Sequence, residues 1–258
     1  MPSLSALTAF DDNYIWVLTS DEGGAVIVDP GDAAPVLAAA QQGLKPAAVL
    51  LTHHHDDHIG GVAGLLEKWP DLPVIAADDE RITTATHKVA DGEVFEAAGM
   101  TFKAIFVPGH TRTHVAFHRQ APGGELFSGD TLFSLGCGRL FEGTPAQMLA
   151  SLETLAALPD DTPICCGHEY TQSNAAFALA VEPGNAALQA RAAEVRTLRA
   201  GGHSTLPVSL ATERATNPFL RVDVPEVAQS VDTWLQATAA DRIDTFAGLR
   251  RWKDGFRA

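Results

Sequence analysis

Four side chains able to bind a metal, His53, His55, Asp57 and His58, fall within six residues of the stretch Thr52–Gly61, THHHDDHIGG. Few folds need such a cluster for packing, because imidazoles and carboxylates this close cost desolvation unless a cation compensates them. Imidazole nitrogen and carboxylate oxygen together suit zinc, iron or manganese. The short apolar run Ala47–Leu51 reads as a strand, so the cluster begins where that strand stops. In an extended loop the alternate residues His53 and His55 can point the same way and grip one ion, while Asp57 and His58 serve a neighbouring one. His54 and Asp56 fall out of phase and read as solvent-facing or as supports for the ligands.

Three further candidates stand where strand-like segments run into loops: His110 after Val107 and Pro108, Asp130 after Ser128 and Gly129, and His168 after Cys166 and Gly167. A purely structural zinc site closes with four ligands, usually rich in cysteine. Five histidines and two aspartates are enough for two ions with open positions.

The chain around these residues is 258 long, enough for one large domain or two unequal ones. Strands are expected at residues 14–18, 25–29, 47–51, 73–76, 94–95, 101–107, 114–118, 126–128 and 164–166. Helices are expected at 33–42 and 61–69, and from Pro145 to about Leu158, where Thr144, Pro145 and Gln147 form a capping-box signature. Beyond about Tyr170 the strand signals fade, and 172–181, 185–200, 225–237 and 241–252 read as helices. Two sheets covered by helices, followed by a helical second unit, is the expected architecture.

With 46% hydrophobic and 19% charged residues, the composition is that of a soluble globular protein, and its apolar runs are too short to span a bilayer. No basic cluster followed by an apolar stretch opens the sequence, so a cytoplasmic location is expected. Three cysteines, Cys137, Cys165 and Cys166, are too few for a disulfide framework and read as reduced thiols in packing roles. A formal charge of −14 repels polyanions and argues against nucleic acid as partner, while leaving room for a small anionic substrate where bases cluster.

THHHDDHIGG resembles the HxHxDH signature of the metallo-β-lactamase superfamily, with His110, Asp130 and His168 following in the expected order. DNYIW from Asp12, PGHT from Pro108, GDTLF from Gly129, CGRLFEG from Cys137, GHEYT from Gly167 and TNPFLR from Thr216 narrow the resemblance to the glyoxalase II, or hydroxyacylglutathione hydrolase, family. The resemblance runs through nearly the whole chain. It implies an α+β fold: an αββα sandwich over residues 1–170 as the catalytic domain, then a helical glutathione-binding domain over 171–258. It also implies that His53, His55 and His110 hold one divalent ion, that Asp57, His58 and His168 hold a second, and that Asp130 bridges them. Zinc is the expected metal, with iron and manganese as alternatives, and Asp57 would also orient a bridging hydroxide.

The reaction so implied is hydrolysis of an S-(2-hydroxyacyl)glutathione, typically S-D-lactoylglutathione, by a protein expected to act as a monomer. Arg139, Arg250 and Lys253 match the family's basic glutathione-binding positions, and Tyr170 matches a binding tyrosine. Two positions depart from the pattern. Phe141 stands where many members have tyrosine and cannot donate a side-chain hydrogen bond, and Arg139 replaces a common lysine with a forked cation. The rivals within the fold are a one-iron glutathione persulfide dioxygenase and a metal-dependent lactonase or β-lactamase. A metal-dependent regulatory protein without turnover is the alternative outside enzymology.

Overall fold

A computed structural model describes residues 2–257. Its elements run β1 (Ser3–Ala9), β2 (Asn13–Thr19), β3 (Ala25–Val28), α1 (Ala33–Gln41), β4 (Pro46–Leu51), α2 (Asp56–Ile59), α3 (Val62–Lys68), β5 (Val74–Ala77), β6 (His87–Val89), β7 (Val94–Ala97), β8 (Met100–Phe106), β9 (Val115–Arg119) and β10 (Leu126–Gly129). They continue through β11 (Leu132–Phe133), β12 (Gly136–Cys137), α4 (Pro145–Ala156), β13 (Pro163–Cys166), α5 (Thr171–Val181), α6 (Ala186–Ala200), β14 (Val208–Ser209), α7 (Leu210–Thr216), a 3-10 turn at Pro218–Leu220, α8 (Pro225–Leu235) and α9 (Arg242–Gly255). The expected strands and helices are present with ends shifted by at most three residues, and β1, β6, α2, the β11–β12 hairpin, β14 and α7 are additional.

The chain forms two compact units. The first consists of Met1–Phe106, Thr113–Gly129 and Cys165–His168. Its first sheet has the order β1-β2-β3-β4-β5-β6, antiparallel from β1 to β3 and parallel from β3 to β6. The parallel strands AVIV, PAAVLL and VIAA are almost wholly buried, which explains why they read as continuous apolar runs. On one face, Ile15, Val17, Ile27, Val49, Leu51 and Val74 pack with Val36 of α1 and with Val62 and Leu65 of α3. On the other face Trp16 Nε1 donates to the carbonyl of Cys166 in β13, at 2.9 Å, tying the first sheet to the second. That second sheet runs β13-β10-β9-β8-β7, with an antiparallel meander from β7 to β10 whose core includes the packed rings of Phe95, Phe102 and Phe117.

The second unit consists of Val107–Arg112, Asp130–Ile164 and Glu169–Ala258, and it is mainly helical. Its α4 opens with the full capping box: the Thr144 hydroxyl accepts from Gln147 N while the Gln147 side chain accepts from Thr144 N. Within this unit Pro163 and Ile164 pair antiparallel with Ser209 and Val208 of β14. Phe177, Phe219 and Phe246 are all fully buried; Phe177 stacks on Phe219, which meets Phe246 edge-on, and the three fix α5 and α9 around the turn at Pro218–Leu220.

Candidate metal centre

In the first unit the parallel strands β3 and β4 end side by side, and the ligand segment starts there. Asp29, one residue beyond β3, is buried with φ of 51° and accepts three hydrogen bonds. These come from Thr52 N at 2.8 Å, Thr52 Oγ1 at 2.7 Å and His58 Nδ1 at 3.0 Å. Because the Thr52 hydroxyl donates to Asp29, its oxygen accepts from His53 Nδ1 at 3.0 Å, which leaves His53 Nε2 unprotonated and 3.0 Å from His55 Nδ1. The chain is extended at His55 and then enters the single turn α2, which carries Asp57 and His58. That turn lies so close to the loop after β3 that a Cβ on Gly31 would stand 1.9 Å from the Asp57 carbonyl oxygen.

His168, just past β13, joins this group from the second sheet. Its Nδ1 donates to Asp12 Oδ1 at 2.8 Å, and its Nε2 lies 3.3 Å from His58 Nε2. Asp57 Oδ2 is 3.4 Å from each of those two nitrogens and accepts from Asn13 Nδ2 at 2.9 Å. Burial raises the pKa of the Asp57 carboxyl, but its contacts with His168, His58 and Asn13 outweigh that and hold it well below the ordinary carboxylate range.

The donor chemistry fits a metal ion. Both imidazoles spend their Nδ1 proton on a carboxylate, so two nitrogen lone pairs and a carboxylate oxygen face one point. A proton on one nitrogen would serve only one pair, whereas a divalent cation satisfies all three. Their mutual spacing of 3.3 and 3.4 Å is that of ligands about 2.0–2.1 Å from a tetrahedral zinc, which lie about 3.3 Å apart. Carboxylates on the far nitrogens are the usual supports of metal-bound histidines.

The second unit repeats the logic on a smaller scale. His110 Nδ1 donates to the carbonyl of Arg139 at 2.9 Å, so in the neutral ring Nε2 keeps its lone pair, 3.5 Å from Asp130 Oδ2. Close packing enforces this arrangement, since a Cβ on Gly138 would lie 1.9 Å from the Asp130 carbonyl oxygen and 3.2 Å from His110 Nδ1. The exposed Phe141 ring packs on His110 with centroids 5.2 Å apart.

The four expected substrate residues also lie in this unit. Arg250 is buried, with Nη1 donating to the Cys137 carbonyl at 2.8 Å and Nε and Nη2 donating to Asp254 Oδ1. Arg139 Nε lies 3.8 Å from the same Asp254 oxygen, and Lys253 Nζ donates to the Ser173 carbonyl at 3.2 Å. Burial, with Arg250 and Arg139 nearby, pushes the Lys253 ammonium down to about 8. Tyr170 packs on Phe133 with centroids 5.2 Å apart and keeps part of its surface exposed. Arg250 and Arg139 therefore share the Asp254 carboxylate, with the Lys253 ammonium on the Ser173 carbonyl as a third cation of the same unit, which leaves local positive charge on an acidic protein. Cys137 is packed rather than reactive: burial pushes its thiol up to about 11.

The family models divide the chain between two descriptions. One, the metallo-beta-lactamase superfamily, matches residues 9–168, and the other, the hydroxyacylglutathione hydrolase C-terminus, matches residues 169–256. A curated hydroxyacylglutathione hydrolase of Xanthomonas axonopodis pv. citri (strain 306) is 59% identical over 256 residues, with 99% of each chain covered. The chain belongs to the hydroxyacylglutathione hydrolase family. A second family member, from Stenotrophomonas maltophilia (strain R551-3), is 58% identical over 255 residues and again covers 99% of both chains. Among solved structures, the B3 metallo-beta-lactamase BLEG-1 superposes with a TM-score of 0.63 at 26% identity, covering 85% of this chain and 99% of that one. The fold is thus the α+β metallo-β-lactamase fold with a helical C-terminal region, and the His and Asp clusters make the family member a binder of divalent metal. Among the described residues no helix is long and apolar enough to cross a membrane.

Sequence reading missed Asp12, Asn13 and Asp29 as supports of the ligands. Asp12 and Asn13 open the DNYIW motif, and Asp29 is an acidic residue at a strand end, the same signal that marked Asp130.

Proposed function

We propose that the protein hydrolyses S-(2-hydroxyacyl)glutathione thioesters, chiefly S-D-lactoylglutathione, to glutathione and the free hydroxy acid. The observation that carries the reading is the convergence of Asp57, His58 and His168 on one point in a chain whose relatives share the hydrolase name over full length. The same whole-length likeness disfavours the dioxygenase and lactonase alternatives.

We assign two zinc ions per chain: His53, His55 and His110 would hold one, Asp57, His58 and His168 the other, with Asp130 shared. Iron and manganese share the donor chemistry. Bound there, the cations would make hydroxide available from water near neutral pH and stabilise the oxyanion formed at the thioester carbonyl. Asp57, anchored by Asn13, orients the nucleophile. No strong general acid is required, because the leaving thiolate has a conjugate acid pKa of about 8.5. Arg139, Arg250 and Lys253 take the two glutathione carboxylates, and Tyr170 donates its hydroxyl. Phe141 cannot add a hydrogen bond, so glutathione rests on the cations more than in members with tyrosine there. Residues 1–170 serve as the catalytic domain and 171–258 as the substrate domain of a cytoplasmic monomer.

Thiol release from S-D-lactoylglutathione, measured before and after chelation with metal content on the same sample, tests the reading. Rapid release that chelation abolishes, with about two ions per chain, is expected. No release from metal-loaded protein would discard the glutathione thioester as substrate and turn attention to lactones and other thioesters. A single iron with oxygen uptake would favour the dioxygenase.

A further inference from the structure

Between Asp130 and Arg139 the second unit carries a hairpin that holds both Asp130 and the partner of His110. Asp130 precedes β11, Cys137 in β12 offers its carbonyl to Arg250 at 2.8 Å, and Arg139 offers its carbonyl to His110 Nδ1 at 2.9 Å. The hairpin has two residues per strand and turns through Ser134 and Leu135, with Leu135 in the left-handed region at φ of 59°. So short a hairpin cannot hold itself.

A buried carboxylate from α7 holds it. Glu213, with no exposed surface, accepts from Ser134 Oγ at 2.8 Å, from Leu135 N at 2.8 Å and from Asn217 Nδ2 at 3.0 Å. Asn217, equally buried, shares its amide protons among Glu213 and the carbonyls of Phe133 at 3.1 Å and Gly136 at 2.9 Å. Asn174 Nδ2 takes the Ser134 carbonyl at 3.0 Å. The Ser134 hydroxyl, Leu135 N and the carbonyls of Phe133, Ser134 and Gly136 are thus all bonded to these three side chains.

We propose that Glu213 is a positioning residue for the metal centre: through the β11–β12 hairpin it sets the Arg139 carbonyl that keeps His110 protonated on Nδ1 and ready to bind an ion through Nε2. Gly138 leaves the constraint little slack, because even a Cβ added there would lie 1.9 Å from the Asp130 carbonyl oxygen and 3.2 Å from His110 Nδ1. The inference rests on His110 being a metal ligand, so the test checks that separately.

The test is zinc affinity, measured on the whole protein by competition with a chromophoric chelator, together with melting temperature. Glu213→Gln keeps the shape but turns an amide toward donors. It is expected to weaken zinc binding about 10–100-fold, and hydrolysis at limiting zinc should fall with it and recover as zinc is added. The control is Glu182→Gln, another carboxylate buried in an ion pair, with Arg221. It should lose stability and keep wild-type zinc affinity. Wild-type affinity in Glu213→Gln, with only a stability loss, would overturn the proposal. Should that variant not fold, Ser134→Ala decides: weaker zinc binding supports the proposal and unchanged binding overturns it. Wild-type affinity in His110→Ala would instead remove the ligand assignment beneath it.

Discussion

His58 and His168 face each other through their Nε2 atoms at 3.3 Å, each with its Nδ1 on a carboxylate: Asp29 for the first, Asp12 for the second. Such a pair is tolerable only when a cation stands between the lone pairs, so the carboxylates behind them set metal affinity. Asp12 is the accessible one of the two, and Asp12→Ala should cost little stability. It is expected to weaken metal binding about 10–100-fold by releasing the His168 ring, as read by chelator competition. Unchanged affinity would show that His168 is oriented by its backbone alone.

Gly31 makes a different demand, since any side chain there meets the Asp57 carbonyl at 1.9 Å. Gly31→Ala must push α2 away from the loop after β3, and it is expected to cost about 2–3 kcal/mol, as overpacking of a closed site does. Metal content should fall together with the melting temperature. A stable variant with full metal content would mean that α2 can shift without moving Asp57 or His58.

The sequence exposed the ligands because their chemistry is local: five of the seven residues end a strand or follow one within a few positions. The capping box at Thr144 and Gln147 was legible for the same reason. What escaped was tertiary. Asp29 supports His58 across 29 residues and Asp12 supports His168 across 156, and no window of sequence contains either pair. The reading of an extended loop at His53 and His55 did not find the helical turn that follows at Asp56–Ile59, since a four-residue helix shows no periodicity. Likewise β1, an edge strand of mixed exposure, and α7, a seven-residue helix of sequence LATERAT, lack the apolar pattern that marks a buried element. His114, outside the expected ligand set, is buried and stacked on His53 with centroids 4.8 Å apart.

With Lys253 in the proposed glutathione site, substrate binding is expected to depend on pH. Its ammonium is pushed down to about 8 from the model-compound value of 10.5 by burial and by Arg250 and Arg139. An anionic substrate prefers the protonated form, so KM should be flat below about 8 and rise above it. In Lys253→Met, KM should be about tenfold higher at pH 7, the loss of one charge contact, and nearly independent of pH up to 9. The sign for stability is opposite. A lysine whose folded pKa lies below its unfolded one binds fewer protons when folded, so stability rises with pH between about 8 and 10.5 and the buried charge costs most below 8. Lys253→Met should therefore melt at or above the wild-type temperature at pH 7. A variant with both unchanged KM and lowered stability would place Lys253 outside the binding site.

Asp130 separates two accounts of its pairing with His110. Its carboxylate lies 3.5 Å from His110 Nε2, while Nδ1 donates to the Arg139 carbonyl. Either His110 becomes an imidazolium and the two form a buried ion pair, or both ligate the same cation. In the first account Asp130→Ala leaves an uncompensated charge that His110 discards by losing a proton, and turnover changes little. In the second, the variant loses the ligand shared between two ions. Thiol release is then expected to fall at least about 100-fold, with metal content dropping below two per chain. Asp130→Asn, which keeps the shape and removes the charge, should fall nearly as far. Release within about threefold of wild type, with both ions retained, would sink the shared-ion account and leave Asp130 as the partner of a protonated histidine.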